Sequence, residues 1–126
     1  MTLAEVSQSN VRAGMVASVS EDGTAAVITF RGEADLFTLP VIVDVLARVI
    51  ADHDGAIVVD LGHTEFIDTT VVRALARAWQ FLDDRGRTLT LRSPSSAASR
   101  VIALLGLSRL IEPALRSNPS GLSTIA

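Results

Sequence analysis

The 126-residue chain contains no cysteine and no lysine, and its eleven basic residues are all arginine. Without cysteine it has no disulfide, thiolate nucleophile or cysteine-ligated metal site. Without lysine it has no Schiff-base residue and no lysine for a phosphate-binding P-loop. No apolar run approaches the roughly 20 residues that a membrane span needs, and the first residues do not resemble a secretion signal. We therefore expect a cytoplasmic protein without a membrane segment.

Signatures of catalysis and of nucleic-acid binding are also missing. The net charge is -3 and the isoelectric point is about 5.2, which argues against a nucleic-acid partner. There is no G-x-S-x-G, no glycine-rich phosphate loop, no HExxH and no obvious pair of catalytic acids. His53 and His63 have no third ligand in pattern. The sequence predicts a protein that is not an enzyme and holds no metal or cofactor.

What the chain does contain is enough apolar sequence for a core, since 48% of its residues are hydrophobic. Its length suggests one domain. Residues 1–14 have mixed polarity and are predicted to be a lead-in. Residues 15–115 are predicted to form the domain, and residues 116–126, rich in small and polar residues, a flexible tail.

The most informative stretch is 56–82, AIVVDLGHTEFIDTTVVRALARAWQFL. Its short apolar beginning, rich in β-branched residues, predicts a strand buried on both faces. Asp68, Thr69 and Thr70 are residue types that favour a helix N-terminus. Apolar residues then recur at helical spacing, which predicts a second helix. A buried strand thus leads to a helix start with a carboxylate and two hydroxyls, and we expect the Thr70 hydroxyl to be exposed.

The remaining elements follow from turn and cap signals. Residues 15–31 predict a β-hairpin around Asp22-Gly23, with its first strand at an edge of the sheet. A helix follows Thr38 and Pro40, and a short strand covers residues 88–91. A third helix is expected to begin near Pro94, with Ser93, Ser95 and Ser96 as cap residues, and to end at Gly106. The order β-β-α-β-α-β-α predicts an α/β fold with a mixed sheet, and leaves open whether the helices cover one face or both.

Four segments, in this order, resemble the STAS domain of anti-sigma-factor antagonists. The first is GEADLFT at 32–38, similar to the family's segment between a strand and the first helix. The second is VVDLGHTEFIDTTVV at 58–72, similar to its strand and Asp-Ser-Ser-Gly helix start. Gly86 before TLTL, and LLGLSRLI at 104–111, complete the match. The resemblance implies a STAS-like fold, in which helices pack on a mixed sheet.

The resemblance also implies a partner switch. Antagonists of this family bind an anti-sigma factor, a serine/threonine kinase of the GHKL type, and so free a sigma factor. The kinase phosphorylates a hydroxyl at the start of the second helix, which corresponds to Thr70 here. A PP2C-type phosphatase reverses the modification. The residues expected to contact the partner are Glu33, Asp35, Thr38, Asp68, Thr69, Thr70, Val71, Arg73 and Arg77.

Alternatives remain open at this point. Asp68, Thr69 and Thr70 are equally suited to capping a helix, Asp35 to assisting a cap, and the arginines to a solvated face. Val71 stands where the family has glycine, and a β-branched residue beside the acceptor would hinder a kinase. The chain would then be a docking module that is never phosphorylated. A ligand-sensing STAS domain, with a nucleotide or lipid in a groove, is a further possibility.

Overall fold

The computed structural model describes residues 6–10 and 14–113. Its five strands form one sheet in the order β1-β2-β3-β4-β5. The pairs β1–β2 and β2–β3 are antiparallel, whereas β3–β4 and β4–β5 are parallel, which confirms the mixed sheet. The strands are β1 (Val6–Asn10), β2 (Met15–Asp22), β3 (Ala25–Gly32), β4 (Ile57–His63) and β5 (Leu89–Arg92).

All helices pack on the same face of this sheet. They are α1 (Leu39–Asp52), α2 (Thr69–Asp83), α3 (Ser96–Leu104) and a 3-10 turn at Ser108–Leu110. Successive residues of a strand point to opposite faces of the sheet. The main core contains the strand residues of one face only, and they pack against residues from each of these helices. The core strand residues are Met15, Ala17, Ala26, Ile28, Phe30, Ile57, Val59, Leu61, Leu89 and Leu91.

The predicted hairpin and central strand are confirmed. Gly23 has a φ of +66°, a conformation that glycine adopts without a steric penalty, and it reverses the chain between β2 and β3. Ile57, Val58 and Val59 are all buried, although Val58 lies on the face away from the helices. A strand with both faces shielded occupies an interior position, here between β3 and β5.

The sheet begins earlier than the sequence pattern indicates. Val6–Asn10, which we assigned to the lead-in, is a strand paired antiparallel with β2. The prediction that β2 is an edge strand is therefore wrong, because β1 occupies that edge. The rest of the predicted lead-in before Gly14, and the predicted tail, lie outside the described residues.

The cap of α3 is one of the three predicted serines. The helix begins at Ser96, and the Ser95 hydroxyl accepts a hydrogen bond from the Ala98 N–H at 3.0 Å. The predicted glycine stop is confirmed: Gly106 has a φ of +74°, and the next N–H, of Leu107, bonds back to the Ile102 carbonyl.

In the part of the chain that the structure describes, no helix has the combined length and apolar character to cross a bilayer.

Arg87 connects the end of α1 to the start of β5. Its guanidinium donates to the carbonyls of Ile50 and Gly55 at 3.1–3.2 Å and also to that of His53. These carbonyls belong to the last turn of α1 and the chain just after it, where the helix itself supplies no donors. A planar guanidinium can serve several carbonyls at once.

We expect Arg87→Ala to lower the free energy of unfolding by about 2 kcal/mol, since hydrogen bonds from a charged donor contribute roughly 1.5–3 kcal/mol. Arg87→Lys should recover only part of this loss, because an ammonium group cannot reproduce the planar arrangement of N–H donors in a guanidinium. Urea denaturation measures both effects. Arg100→Ala, on an exposed position of α3, is the control. Equal stability of Arg87→Ala and Arg100→Ala would contradict the assignment.

Candidate functional site

Two loops meet beyond the C-terminal ends of β3 and β4. Ala34 and Ile67 form a parallel bridge between them. The Ala34 N–H donates to the Phe66 carbonyl at 3.4 Å, and the Asp68 N–H donates to the Ala34 carbonyl at 2.8 Å. We call residues 33–38 and 64–70 the rim. The acidic segment after β3 therefore lies beside the start of α2.

The first loop of the rim is held by its own side chains. The Asp35 carboxylate accepts from the N–H groups of Phe37 and Thr38 at 2.9 and 3.0 Å. The Thr38 hydroxyl donates to the Glu33 carbonyl at 2.7 Å and accepts from the Asp35 N–H at 2.9 Å. Asp35 therefore assists the start of α1, one of the alternatives left open by the sequence.

Thr38 does not belong to the contact surface, contrary to expectation. The residue is completely buried, and all the hydrogen bonds of its hydroxyl are internal to the loop. A partner cannot touch it without dismantling the turn. Its contribution is to fix the backbone that presents Leu36 and Phe37.

Thr64 anchors the second loop in a comparable way. Its buried hydroxyl donates to the Phe30 carbonyl, near the end of β3, at 2.8 Å. The Thr64 N–H also bonds to the Leu61 carbonyl at 3.1 Å. The second loop is thus tied to β3, and the first is held by its own side chains and by the bridge between Ala34 and Ile67. Together these bonds make the rim a preorganised surface.

The two hydroxyls at the start of α2 have different surroundings. Thr69 is exposed, and its hydroxyl lies 3.3 Å from the Asp68 carboxylate, to which it donates. Thr70 is partly buried, and its hydroxyl oxygen is covered and has no hydrogen-bond partner. The expectation that the Thr70 hydroxyl is exposed is therefore wrong for this conformation. Asp68 occupies the N-cap position but its side chain makes no capping bond.

Val71 points into the core, whereas two arginines of α2 face solvent. Val71 is buried beneath the helix, so it is not an exposed obstacle beside Thr70. Arg73 and Arg77 are exposed, and neither forms an ion pair or side-chain hydrogen bond with another described residue. Both arginines are free to meet an external anion.

Three exposed apolar side chains of the rim were not predicted as contact residues from the sequence. Phe37 is 82% exposed, Leu36 60% and Phe66 53%. Leu36 and Phe37 precede the helical period of α1, within an otherwise polar turn, and this position was the available signal. Phe66 and Ile67 are adjacent apolar residues in the sequence, but only the side chain of Ile67 is buried. Large exposed apolar groups grouped on two joined loops are typical of an interaction site.

The charges of the rim complete its chemistry. Glu33 and Glu65 are exposed around the apolar group, and Asp68 is partly exposed. Within residues 6–10 and 14–113, no cluster of histidines and acids is arranged to hold a metal ion. An apolar centre with a charged border is the usual composition of a protein–protein interface.

Known proteins share both the sequence pattern and this fold. Residues 17–112 match the family model described as Mlab, STAS domain. Over 92 residues the chain is 27% identical to the anti-sigma-F factor antagonist RsfB of Mycobacterium tuberculosis. The matched region covers 73% of this chain and 75% of RsfB.

Solved structures agree with this match. An anti-sigma factor antagonist from Mycobacterium paratuberculosis superimposes with a TM-score of 0.74 at 25% identity, covering 82% of this chain and 90% of that one. Unphosphorylated SpoIIAA, also an anti-sigma factor antagonist, gives a TM-score of 0.68 at 19% identity, over 78% and 87% of the two chains. At that identity the likeness to SpoIIAA shows the fold alone. The family model matches most of the chain and includes the entire rim. The chain therefore belongs to the STAS domain family, and the relatives described here are anti-sigma factor antagonists.

Proposed function

We propose that this protein binds an anti-sigma factor through the rim and thereby releases a sigma factor. The observation that carries the proposal is the exposed apolar group of Leu36, Phe37 and Phe66 on two loops that are hydrogen-bonded to each other. The antagonist relatives described above support the choice of partner. The protein would act by binding rather than catalysis, in the cytoplasm where sigma factors work.

The rim has the physical properties that a docking site needs. Aromatic side chains supply much of the binding energy of interfaces when a partner removes them from water. The internal bonds of Asp35, Thr38 and Thr64 hold the loops before binding, so less conformational entropy is lost on association. The anti-sigma factor would cover the apolar centre, and the polar border would set its orientation.

Phosphorylation at Thr70 is the switch that we propose for this surface. The first N–H groups of α2 carry positive partial charge and receive no capping bond from Asp68, so a phosphate can be accommodated there. It would add a charge of about -1.5 to -2 beside an apolar and acidic rim. A GHKL-type anti-sigma kinase would add the phosphate. The new charge would then oppose rebinding of that kinase to the rim until a PP2C-type phosphatase removed the phosphate. SpoIIAA has been solved in a phosphorylated form as well.

The covered hydroxyl of Thr70 must turn outward before a kinase can reach it. Threonine in a helix populates two χ1 rotamers, and rotation about χ1 moves the hydroxyl to a position that another Cβ substituent now occupies. A buried hydroxyl without a partner is unfavourable by about 1–3 kcal/mol, so the inward rotamer of Thr70 is not strongly held. A bound kinase would select the outward rotamer.

The same covered hydroxyl favours a second candidate function. If the outward rotamer is never captured, the rim would bind its anti-sigma factor constitutively, as a docking module without a switch. This candidate shares the rim and the partner with the first, and differs only in whether Thr70 is modified.

Incubation with the purified anti-sigma kinase and ATP should add one phosphoryl group to the wild type, measured by intact-protein mass spectrometry. Thr70→Val should abolish the modification, because it replaces the hydroxyl with a methyl group of similar size. Thr69→Val is the matched control one residue away and should remain modifiable.

Two outcomes would contradict the switch. If wild type stays unmodified while it binds the kinase, the constitutive module is correct. If Thr69→Val abolishes modification and Thr70→Val does not, the acceptor is the exposed hydroxyl of Thr69.

Phe37→Ala should weaken binding to the anti-sigma factor at least tenfold, about 1.4 kcal/mol, because the most exposed aromatic group of the rim would be removed. Isothermal titration calorimetry measures the dissociation constant. The side chain is 82% exposed in the free protein, so the fold should be unaffected.

Leu104→Ala provides the control for Phe37→Ala. Leu104 is 80% exposed on α3, outside the rim, and its truncation should change the dissociation constant less than about twofold. Equal losses in the two variants, or no loss in Phe37→Ala, would exclude the rim as the docking site.

A further inference from the structure

A groove with a volume of about 600 Å³ runs between α1 and α2, on the side of these helices that faces away from the sheet. Its walls repeat with helical spacing, since α1 contributes positions 43, 46, 47, 50 and 51, and α2 contributes 74, 77, 78 and 81. The segments that follow the two helices complete the lining with His53, Asp54, Arg85 and Arg87. Two adjacent helices with such facing rows form a surface into which a third helix can pack.

The floor of the groove is apolar and open. Small side chains from both helices form this floor, including Ala47, Ala51 and Ala78, and they leave the space between the helices unfilled. Val43 and Phe81 line it and are among the exposed large apolar residues of the protein. An apolar side chain placed there would remove existing apolar surface from water.

The border of the groove carries an excess of positive charge. Arg77, Arg85 and Arg87 line it, against Asp54 as the lining carboxylate. Arg87 is committed to backbone carbonyls. Arg85 lies 3.6 Å from the centre of the Phe81 ring and donates to the Phe81 carbonyl, so its charge is not neutralised by a carboxylate.

The cationic edge follows α2 and the turn after it. Arg77 and Arg85, which both line the groove, are eight residues apart, roughly 12 Å at 1.5 Å per residue. A single-headed amphiphile would bring one anion to one point of this edge. An elongated partner with carboxylates on successive helical turns would meet its whole length.

The chain's own C-terminal segment does not have this chemistry. Residues 114–126, ALRSNPSGLSTIA, contain an arginine and no acidic residue. Its charged side chain, Arg116, has the same sign as the border. The charges of the groove favour an occupant with several carboxylates, which these residues lack.

We propose that the α1–α2 groove binds an acidic amphipathic helix of a partner protein. Its apolar stripe would lie on the alanine floor against Val43 and Phe81, and its carboxylates would pair with Arg77 and Arg85. Thr70, Ala74, Arg77 and Phe81 are spaced by 4, 3 and 4 residues, so the start of α2 belongs to the same stripe as the groove. The groove requires neither phosphorylation at Thr70 nor docking at the rim.

The test uses a fluorescein-labelled helical peptide of about four turns, with leucines at helical spacing and glutamates on both flanks. Fluorescence anisotropy should show saturable binding to the full-length protein. A peptide with lysine in place of each glutamate should not bind. Binding should weaken with added salt, since exposed ion pairs are screened.

Paired variants locate the site. Arg77→Glu combined with Arg85→Glu should weaken binding at least about tenfold, and Arg100→Glu on α3 less than about twofold. Ala47→Trp should fill the groove and block the peptide, whereas Ala103→Trp, at an exposed position of α3, should not. Unchanged circular dichroism and melting temperature confirm that each variant is folded.

Several results would overturn the proposal. One is the absence of peptide binding to the wild type, and another is binding that survives both the double charge reversal and Ala47→Trp. Stabilisation by dodecanoate without peptide binding would assign the groove to a lipid anion. A dimer in sedimentation experiments that excludes the peptide and is lost in Ala47→Trp would assign it to a second copy. Loss of anti-sigma factor binding in Phe37→Ala tests the rim and leaves this result unaffected.

Discussion

The parallel pairing of β3 with β4 is the constraint on which the site depends. Strands that run in the same direction end at the same edge of the sheet, so the chain segments that follow them emerge together. The bridge between Ala34 and Ile67 extends this pairing into the loops. The hydroxyls of Thr38 and Thr64 then fasten each loop to backbone carbonyls. The backbone geometry of these two loops thus places the exposed apolar residues of the rim on neighbouring segments.

Helix α2 joins the two proposed surfaces of the molecule. Its first turn contributes Thr69 and Thr70 to the rim, and its later turns contribute Arg77 and Phe81 to the groove. Because its buried stripe, including Val71 and Val72, is packed into the core, the helix is a fixed support for both. A charge acquired at Thr70 would therefore act on a partner through its field and its bulk, with no need for the helix to move.

Elements with strong periodicity could be predicted from the sequence, and features set by tertiary contacts could not. Helices α1 and α2 followed from apolar spacing and cap residues. Strand β1 has the sequence VSQSN, with a single apolar residue, so pairing with β2 decides its structure. The expected exposure of Thr38 and of the Thr70 hydroxyl was wrong, because residue type predicts a helix start but not which way a hydroxyl turns. The groove depends on the distance between two packed helices. The spacing of apolar residues along one helix carries no information about that distance.

The most direct test of the central claim is hydrogen–deuterium exchange of the protein with and without its anti-sigma factor. If the two loops act as one preorganised surface, binding should slow exchange in residues 34–38 and 64–70 together, with the same dependence on partner concentration. Protection of only one of these loops, or of strands β1 and β2 in place of both, would contradict the account.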